Sequence, residues 1–424
     1  MNVVLFGFFA LAIVVFLCLA VLGFAVYLFC EHRRFGHLPG PQRSNFWLGN
    51  AKDIATYRKA GRTFYDYFLA QTIEHGNVFV VFICHKAIIF VSEPSIICKL
   101  LLRHHLLLPK DPKVYRKLGF VCGQPIAGHG LVTNTDEAAW KPRRRCLNHA
   151  FHRGNVSRNF LKVFNDCAQV FLNRLQGKAD GQMKVFMLEE FARASFLASD
   201  QAICGKDSRL TQENFDGILH AFEKCLEAVQ ANLTTVLPHS LTRLFTRKTS
   251  RQREFIKAAK TVRGFAREVI ETRERKLRET HGEARSDILA YILDIAKNDP
   301  NFTMEEKIDE VVTFFVAAHE TTAGCLAFTL FEILSNEKIY QRVMQEIDIV
   351  IGSKTFISDK DLNKLHFLDN CIKESLRLYP VVGGPDRILM KDLVIQDYYL
   401  PSGCSVFVEK YVAHRNPKYW KNPQ

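Results

Sequence analysis

Within the apolar run from Val311 to Phe331 stands the string AAHETT, which sets a histidine, a carboxylate and two hydroxyls in the middle of a helix-length segment. A helix that is apolar all round is buried. An unpaired carboxylate inside such a helix titrates, finds a partner or does chemical work, so Glu320 is expected to face a cavity. Phe314, Ala317, Ala318 and Thr321 recur three and four residues apart and share one stripe, small in its middle and hydroxylic below, suited to lining a ligand. Two plainer readings compete. One is a membrane span that tolerates a single acid. The other is a core helix whose His319 and Glu320 satisfy backbone groups or each other.

No side chain from Val3 to Cys30 is charged, and Glu31, His32, Arg33 and Arg34 follow at once. That run is long enough to cross a bilayer. A cleavable signal would be shorter and would open on basic residues, so residues 1–30 read as an uncleaved anchor, with a long signal peptide as the alternative. Residues 31–42, ending in HLPGPQ, read as a basic and Pro/Gly hinge, and residues 43–424 as the body. Arginines placed after the span put the body on the cytosolic side.

The body is expected to be mainly helical. A helix is expected over Thr63–His75, stopped by Gly76, and a long charged one from about Arg251 to Thr280. VFVVFIC and AIIFV, on either side of His85 and Lys86, predict a β-hairpin, and DYYLPSGCSVFV has the look of a second. The twelve cysteines are scattered singly with no CxxC pair, which suits reduced core thiols and excludes a disulfide framework or zinc site. A net charge of +13 raises the question of nucleic acid, but the basic residues are dispersed without interleaved aromatics. A bilayer or a membrane-bound partner explains the charge better, with a merely solvated basic surface as the alternative.

KESLRLYP, Lys373–Pro380, places Glu374 and Arg377 one turn apart ahead of a helix-stopping proline. The spacing alone is weak, because Glu31 with Arg34 and Glu190 with Arg193 make the same step. Order and company give it weight. With AAHETT before it, and with LPGPQ, WKPRRR (Trp140–Arg145) and HRNPKYWKNP (His414–Pro423) elsewhere, the chain resembles the cytochrome P450 monooxygenases over essentially its whole length. The strings VVTFFVAAHETTAGCLAFTLFEI, VIGSK and CIKESLRLYP are most similar to the cholesterol 24-hydroxylase branch, sterol side-chain oxidases of the endoplasmic reticulum membrane.

The resemblance implies a mainly α fold with a small β-sheet subdomain behind one transmembrane helix. It implies haem as cofactor, a sterol or another apolar lipid or xenobiotic as substrate, and electrons from NADPH through NADPH-cytochrome P450 reductase. Glu320 and Thr321 match the acid and alcohol pair that delivers protons during dioxygen activation, types suited to a relay in a dry pocket. Phe314, Ala317 and Ala318 would wall the pocket, with Ala318 departing from the family's usual glycine. Glu374 and Arg377 match its structural ion pair. Trp140 and Arg144 match a tryptophan and arginine that reach one haem propionate, and Arg387 an arginine serving the other side. The plainer alternatives are core packing for Trp140 and an exposed charge for Arg144. The sequence ends at Gln424, before the family's cysteine loop, and neither Cys404 in PSGCS nor Cys122 in GFVCGQ has that loop's spacing. The expectation is a chain without its axial thiolate, inactive as it stands. It would then be either an incomplete copy of a working enzyme or a truncated, membrane-anchored product that binds lipid or a partner. Segments near Val114–Ile126 and Glu213–Thr235 are apolar enough to line a pocket without naming its ligand.

Overall fold

The uncharged run at the amino end forms one continuous helix, α1 (Asn2–Arg34), in the computed structural model, which describes residues 2–182, 184–233, 249–280 and 287–423. Large apolar side chains from Leu11 to Val26 are exposed, and only near the end of α1 does the chain face protein, with Leu28 and Phe35 buried. The boundary expected at residue 30 falls inside this helix, which is long and apolar enough to cross a membrane. HLPGPQ is packed as well. His37 Nε2 lies 2.9 Å from the Tyr399 carbonyl, and the Val80 amide donates to the Pro39 carbonyl at 2.9 Å. A β carbon on Gly40 would overlap the Val80 carbonyl, so this close approach requires glycine.

The chain divides into two compact units, Met1–Asp111 with Gly383–Gln424, and Pro112–Val382. The strands are β1 (Val78–Ile83), β2 (Lys86–Val91), β3 (Phe120–Val121), β4 (Gln124–Pro125), β5 (Asp386–Ile388), β6 (Leu393–Ile395), β7 (Tyr398–Leu400) and β8 (Ser405–Val408). The first unit holds α1, α2 (Phe64–His75) and a sheet in the order β1-β2-β8-β5. A capping box between Thr63 and Asp66 opens α2, and Gly76 at φ +87° closes it. β1 and β2 form the expected antiparallel hairpin, from Val78↔Val91 to Ile83↔Lys86.

DYYLPSGCSVFV is not a hairpin. β7 pairs with β6, whereas β8 runs parallel to β2 and antiparallel to β5. Pro401 and Gly403, at φ +76°, swing the chain between the two sheets, and the Gly403 amide is taken by the Leu389 carbonyl at 2.6 Å. The alternation of apolar residues identified both strands but carried no information about their partners.

The second unit is helical: α3 (Glu137–Asn148), α4 (Leu161–Gln176), α5 (Met187–Cys204), α6 (Phe215–Leu233), α7 (Ser250–Thr280), α8 (Ile288–Asn298), α9 (Met304–Leu334) and α10 (His366–Leu378), with further helices between them. Its core contains a cluster of aromatic rings. Phe315 of α9 meets Phe196, Phe222 and Phe265 at ring-centroid distances of 5.5, 5.2 and 5.6 Å. Each buried ring is worth about 1.5–3 kcal/mol relative to exposure, so this cluster fixes where α9 lies among α5, α6 and α7.

Candidate active site

α9 opens on a capping box between Thr303 and Glu306 and then presents two unlike flanks. Val311, Val312, Phe315, His319 and Ala323 are buried, while Phe314, Ala318 and Thr321 are half-buried and Ala317 and Glu320 are exposed. The helix is therefore not apolar all round. It is a core helix on one flank and offers an accessible stripe on the other, which Cys325 continues one turn beyond Thr321.

The Thr321 Oγ1 donates to the Ala317 carbonyl at 2.7 Å, which commits its proton to the helix and leaves the oxygen free to accept one. The Glu320 carboxyl is held above its ordinary range by local desolvation and then by the charges of Glu223 and Glu227 on α6. It therefore keeps a proton closer to neutrality than a free glutamate does. His319 does not partner it. The imidazole lies on the opposite flank, with Nδ1 2.9 Å from the Phe315 carbonyl and edges against Phe196 and Phe222. Burial lowers its pKa and keeps it neutral. The Ser195 hydroxyl of α5 donates to the His319 carbonyl at 2.8 Å.

The first turns of α9 clasp the loop that leads into α3. Asp309 Oδ2 accepts from the His129 amide at 2.7 Å, and Glu310 Oε2 from the Leu131 amide at 2.9 Å. Arg263 of α7 bridges the Ile126 carbonyl at 3.0 Å and Asp309 Oδ1 at 2.6 Å, and the buried Arg143 of α3 pairs with Glu306. β carbons on Gly128 and Gly130 would run into Asp309 and Thr313. This polar stripe, Glu306, Asp309, Glu310 and Thr313, went unread in the sequence, although its spacing of three and four was the available signal.

Of the three Glu-x-x-Arg steps, Glu374 with Arg377 on α10 makes a two-pronged pair, Nε to Oε2 and Nη2 to Oε1 both at 2.8 Å. Those bonds lower the Glu374 pKa and raise that of the buried Arg377. Glu31 and Arg34 approach only to 3.6 Å. Glu190 is held instead by Arg174 and Lys178, and Arg193 by Asp216. On α3, Trp140 gives its indole N–H to the Leu131 carbonyl at 2.9 Å, whereas Arg144 is exposed and makes no ion pair among the described residues. An unpaired guanidinium of this kind fits a carboxylate such as a haem propionate. Arg387 belongs to the other unit, in β5 paired with β8. Residues 234 and 235 of the expected pocket segment lie outside the described residues.

Cys404 is buried, bonds the Pro401 carbonyl through its sulfur at 3.0 Å, and has its thiol pushed up to about 12 by burial. Cys122 sits at φ +51° between β3 and β4.

A family profile described as Cytochrome P450 matches residues 39–424. Cytochrome P450 4d2 of Drosophila melanogaster is 26% identical over 415 residues, covering 93% of this chain and 79% of that protein. Cytochrome P450 4F3 of Mus musculus is 27% identical over 400 residues, with 91% and 74% covered, and cytochrome P450 3A7 of Homo sapiens is 24% identical over 434 residues, with 98% and 81% covered. Among solved structures, the cytochrome P450DA heme domain shares the fold at a TM-score of 0.72 and 21% identity, over 91% of this chain and 80% of that one. Haem is the cofactor of this family, whose members normally use a redox partner and apolar substrates. With a profile match running from the start of the proline-rich segment to the last residue, the chain belongs to the cytochrome P450 family.

Proposed function

We propose that the protein is a monooxygenase of the endoplasmic reticulum membrane that hydroxylates a sterol, in the manner of the cholesterol 24-hydroxylases, with electrons from NADPH-cytochrome P450 reductase. The observation that carries this reading is the accessible stripe of α9, where Phe314, Ala317 and Ala318 stand above a hydroxyl and a carboxyl whose proton affinity is raised. Haem, when bound, supplies the redox activation of dioxygen. The chain's own residues do the rest. Glu320 holds its proton to higher pH than a free glutamate does, the Thr321 oxygen accepts and passes it, and Arg144 supplies a cation for a propionate. The small side chains at Ala317 and Ala318 leave room for a flat apolar ring system beside them, and Phe314 gives it a face to lie against.

A second reading is a membrane-anchored lipid-binding protein without redox chemistry, favoured by the long apolar face that α1 exposes. The full chain in lipid nanodiscs, loaded with haem and titrated with a sterol panel, separates the two. Formation of a hydroxylated sterol with reductase and NADPH, lost in Thr321→Ala, supports the monooxygenase. Sterol binding with no thiolate-type Soret band under carbon monoxide and no product supports the second reading. Failure to bind any sterol, with another lipid class turned over, removes the sterol assignment alone.

A further inference from the structure

A groove of about 480 Å³ opens between α4, α5 and the segment leading into α6, entirely within the second unit. It lies on the flank of α5 turned away from α9. Ser195 and Phe196 face α9, while Arg193, Ala194 and Leu197 face the groove. The thickness of a helix therefore separates it from the Glu320 stripe, and no role proposed above uses it. Its floor is apolar: Val170, Phe171, Leu197, Leu210 and Phe215. Val170 is 54% exposed and the other four are half-buried, and a ligand tail laid across them would remove that surface from solvent.

The rim is charged and its charges are unequally committed. Burial works against ionisation of Glu190, yet hydrogen bonds from Arg174 and Lys178 outweigh it and hold the carboxyl below its ordinary range. Arg193 is differently placed. It lies over the Phe215 ring, 4.9 Å from the centroid, and among the described residues its carboxylate partner is Asp216, whose side chain is 72% exposed. An ion pair with so exposed a partner is weak and exchangeable. Three cations face two carboxylates, so the rim carries one net positive charge.

We propose that this groove is a second binding site, for a single-chain carboxylate amphiphile whose tail lies along Phe171, Leu197 and Phe215 and whose head exchanges with Asp216 for the Arg193 guanidinium. The volume suits one saturated chain of about ten carbons. Charge selects the head: a carboxylate gains a sheltered two-pronged partner, whereas an alcohol gains one hydrogen bond and a quaternary amine is repelled.

The test uses the full chain in nanodiscs and decanoate carrying a diazirine in its tail, with cross-linked peptides identified by mass spectrometry. Labelling is expected in the peptides containing Val170–Arg174 and Arg193–Leu197, and competed by decanoate at least roughly tenfold better than by decanol or decyltrimethylammonium. Val170→Trp, at an exposed position that tolerates bulk, should abolish the label, and Leu197→Trp offers a second block should the first unfold the protein. Arg193→Gln should weaken decanoate by roughly tenfold and leave decanol unchanged. The proposal is overturned by label confined to the α9 stripe or to α1, by decanol competing as well as decanoate, or by label that survives both tryptophan substitutions in folded protein.

Discussion

The Ser195 hydroxyl and the His319 carbonyl are 2.8 Å apart, so α5 grips the backbone of α9 one residue ahead of Glu320. The bond is buried and joins two helices that otherwise meet through aromatic rings. Ser195→Ala should cost about 1 kcal/mol of stability by leaving that carbonyl with one partner fewer, read as a lower urea midpoint. Amide exchange from Glu320 to Ala323 should quicken in the same variant. Unchanged exchange there would show that the hydroxyl does not steady this turn.

Arg377 should be the costlier half of its pair with Glu374. Its side chain is 6% exposed and that of Glu374 is 56% exposed, so Arg377→Ala also removes buried packing. A loss of about 2–4 kcal/mol is expected for Arg377→Ala and under about 1 kcal/mol for Glu374→Gln. Arg377→Lys should recover little, since an ammonium cannot reproduce two parallel bonds at 2.8 Å. Equal losses for the alanine and glutamine variants would contradict this ranking.

Stability should fall as pH rises through neutrality because of two acids in the first unit, the half-buried Asp386 and the buried Glu409. Asp386 is pushed up to about 7 by burial and then by the charge of Asp111, against the pull of Arg387 and Lys86. Glu409 is pushed up to about 7 by burial, against bonds from the Tyr411 and Val412 amides and the charge of Lys410, with Asp386 adding repulsion. The folded state thus binds more protons than the unfolded one between about pH 4 and 7. That stability is fully present below the unfolded values and is lost as pH climbs past about 7. Thermal midpoints measured from about pH 4 to 8 should show the decline, and Glu409→Gln should flatten it. A wild-type midpoint that rises over this range would refute the assignment.

Gly130→Ala should loosen the clasp between α9 and the loop before α3. The new methyl group would meet Thr313 and the Asp309 carbonyl, forcing the Leu131 amide away from Glu310. About 2 kcal/mol of destabilisation is expected, with faster proteolytic cutting between Ile126 and Asn134. Gly217→Ala, on an open face of α6, is the matched control and should be neutral or slightly stabilising. Equal cutting in both variants would dismiss the clasp.

What the sequence disclosed and what it withheld follow one physical division. Local periodicity and capping are written in neighbouring residues, which is why α2, the β1–β2 hairpin, α7 and the Glu374–Arg377 pair stand close to where they were expected. Partners distant in the chain are not written there. Nothing near Ser405 says that β8 runs beside β2, and nothing near Glu190 says that it answers to Arg174 and Lys178 rather than to Arg193. The α9 stripe shows the same limit at the site itself. Spacing grouped Phe314, Ala317, Ala318 and Thr321, but only the packing of α5, α6 and α7 on the other flank decided which side stays open.

α1 ends with Leu28 buried and His32 edge-on to Phe82 at 4.7 Å, so no swivel separates the membrane-length helix from the β1–β2 sheet. In a bilayer the two would tip together as a mast and its deck. A thinner membrane, which makes a long helix lean, would then lower one edge of that sheet toward the headgroups, and lipid thickness would set the angle at which this half of the protein meets its surroundings.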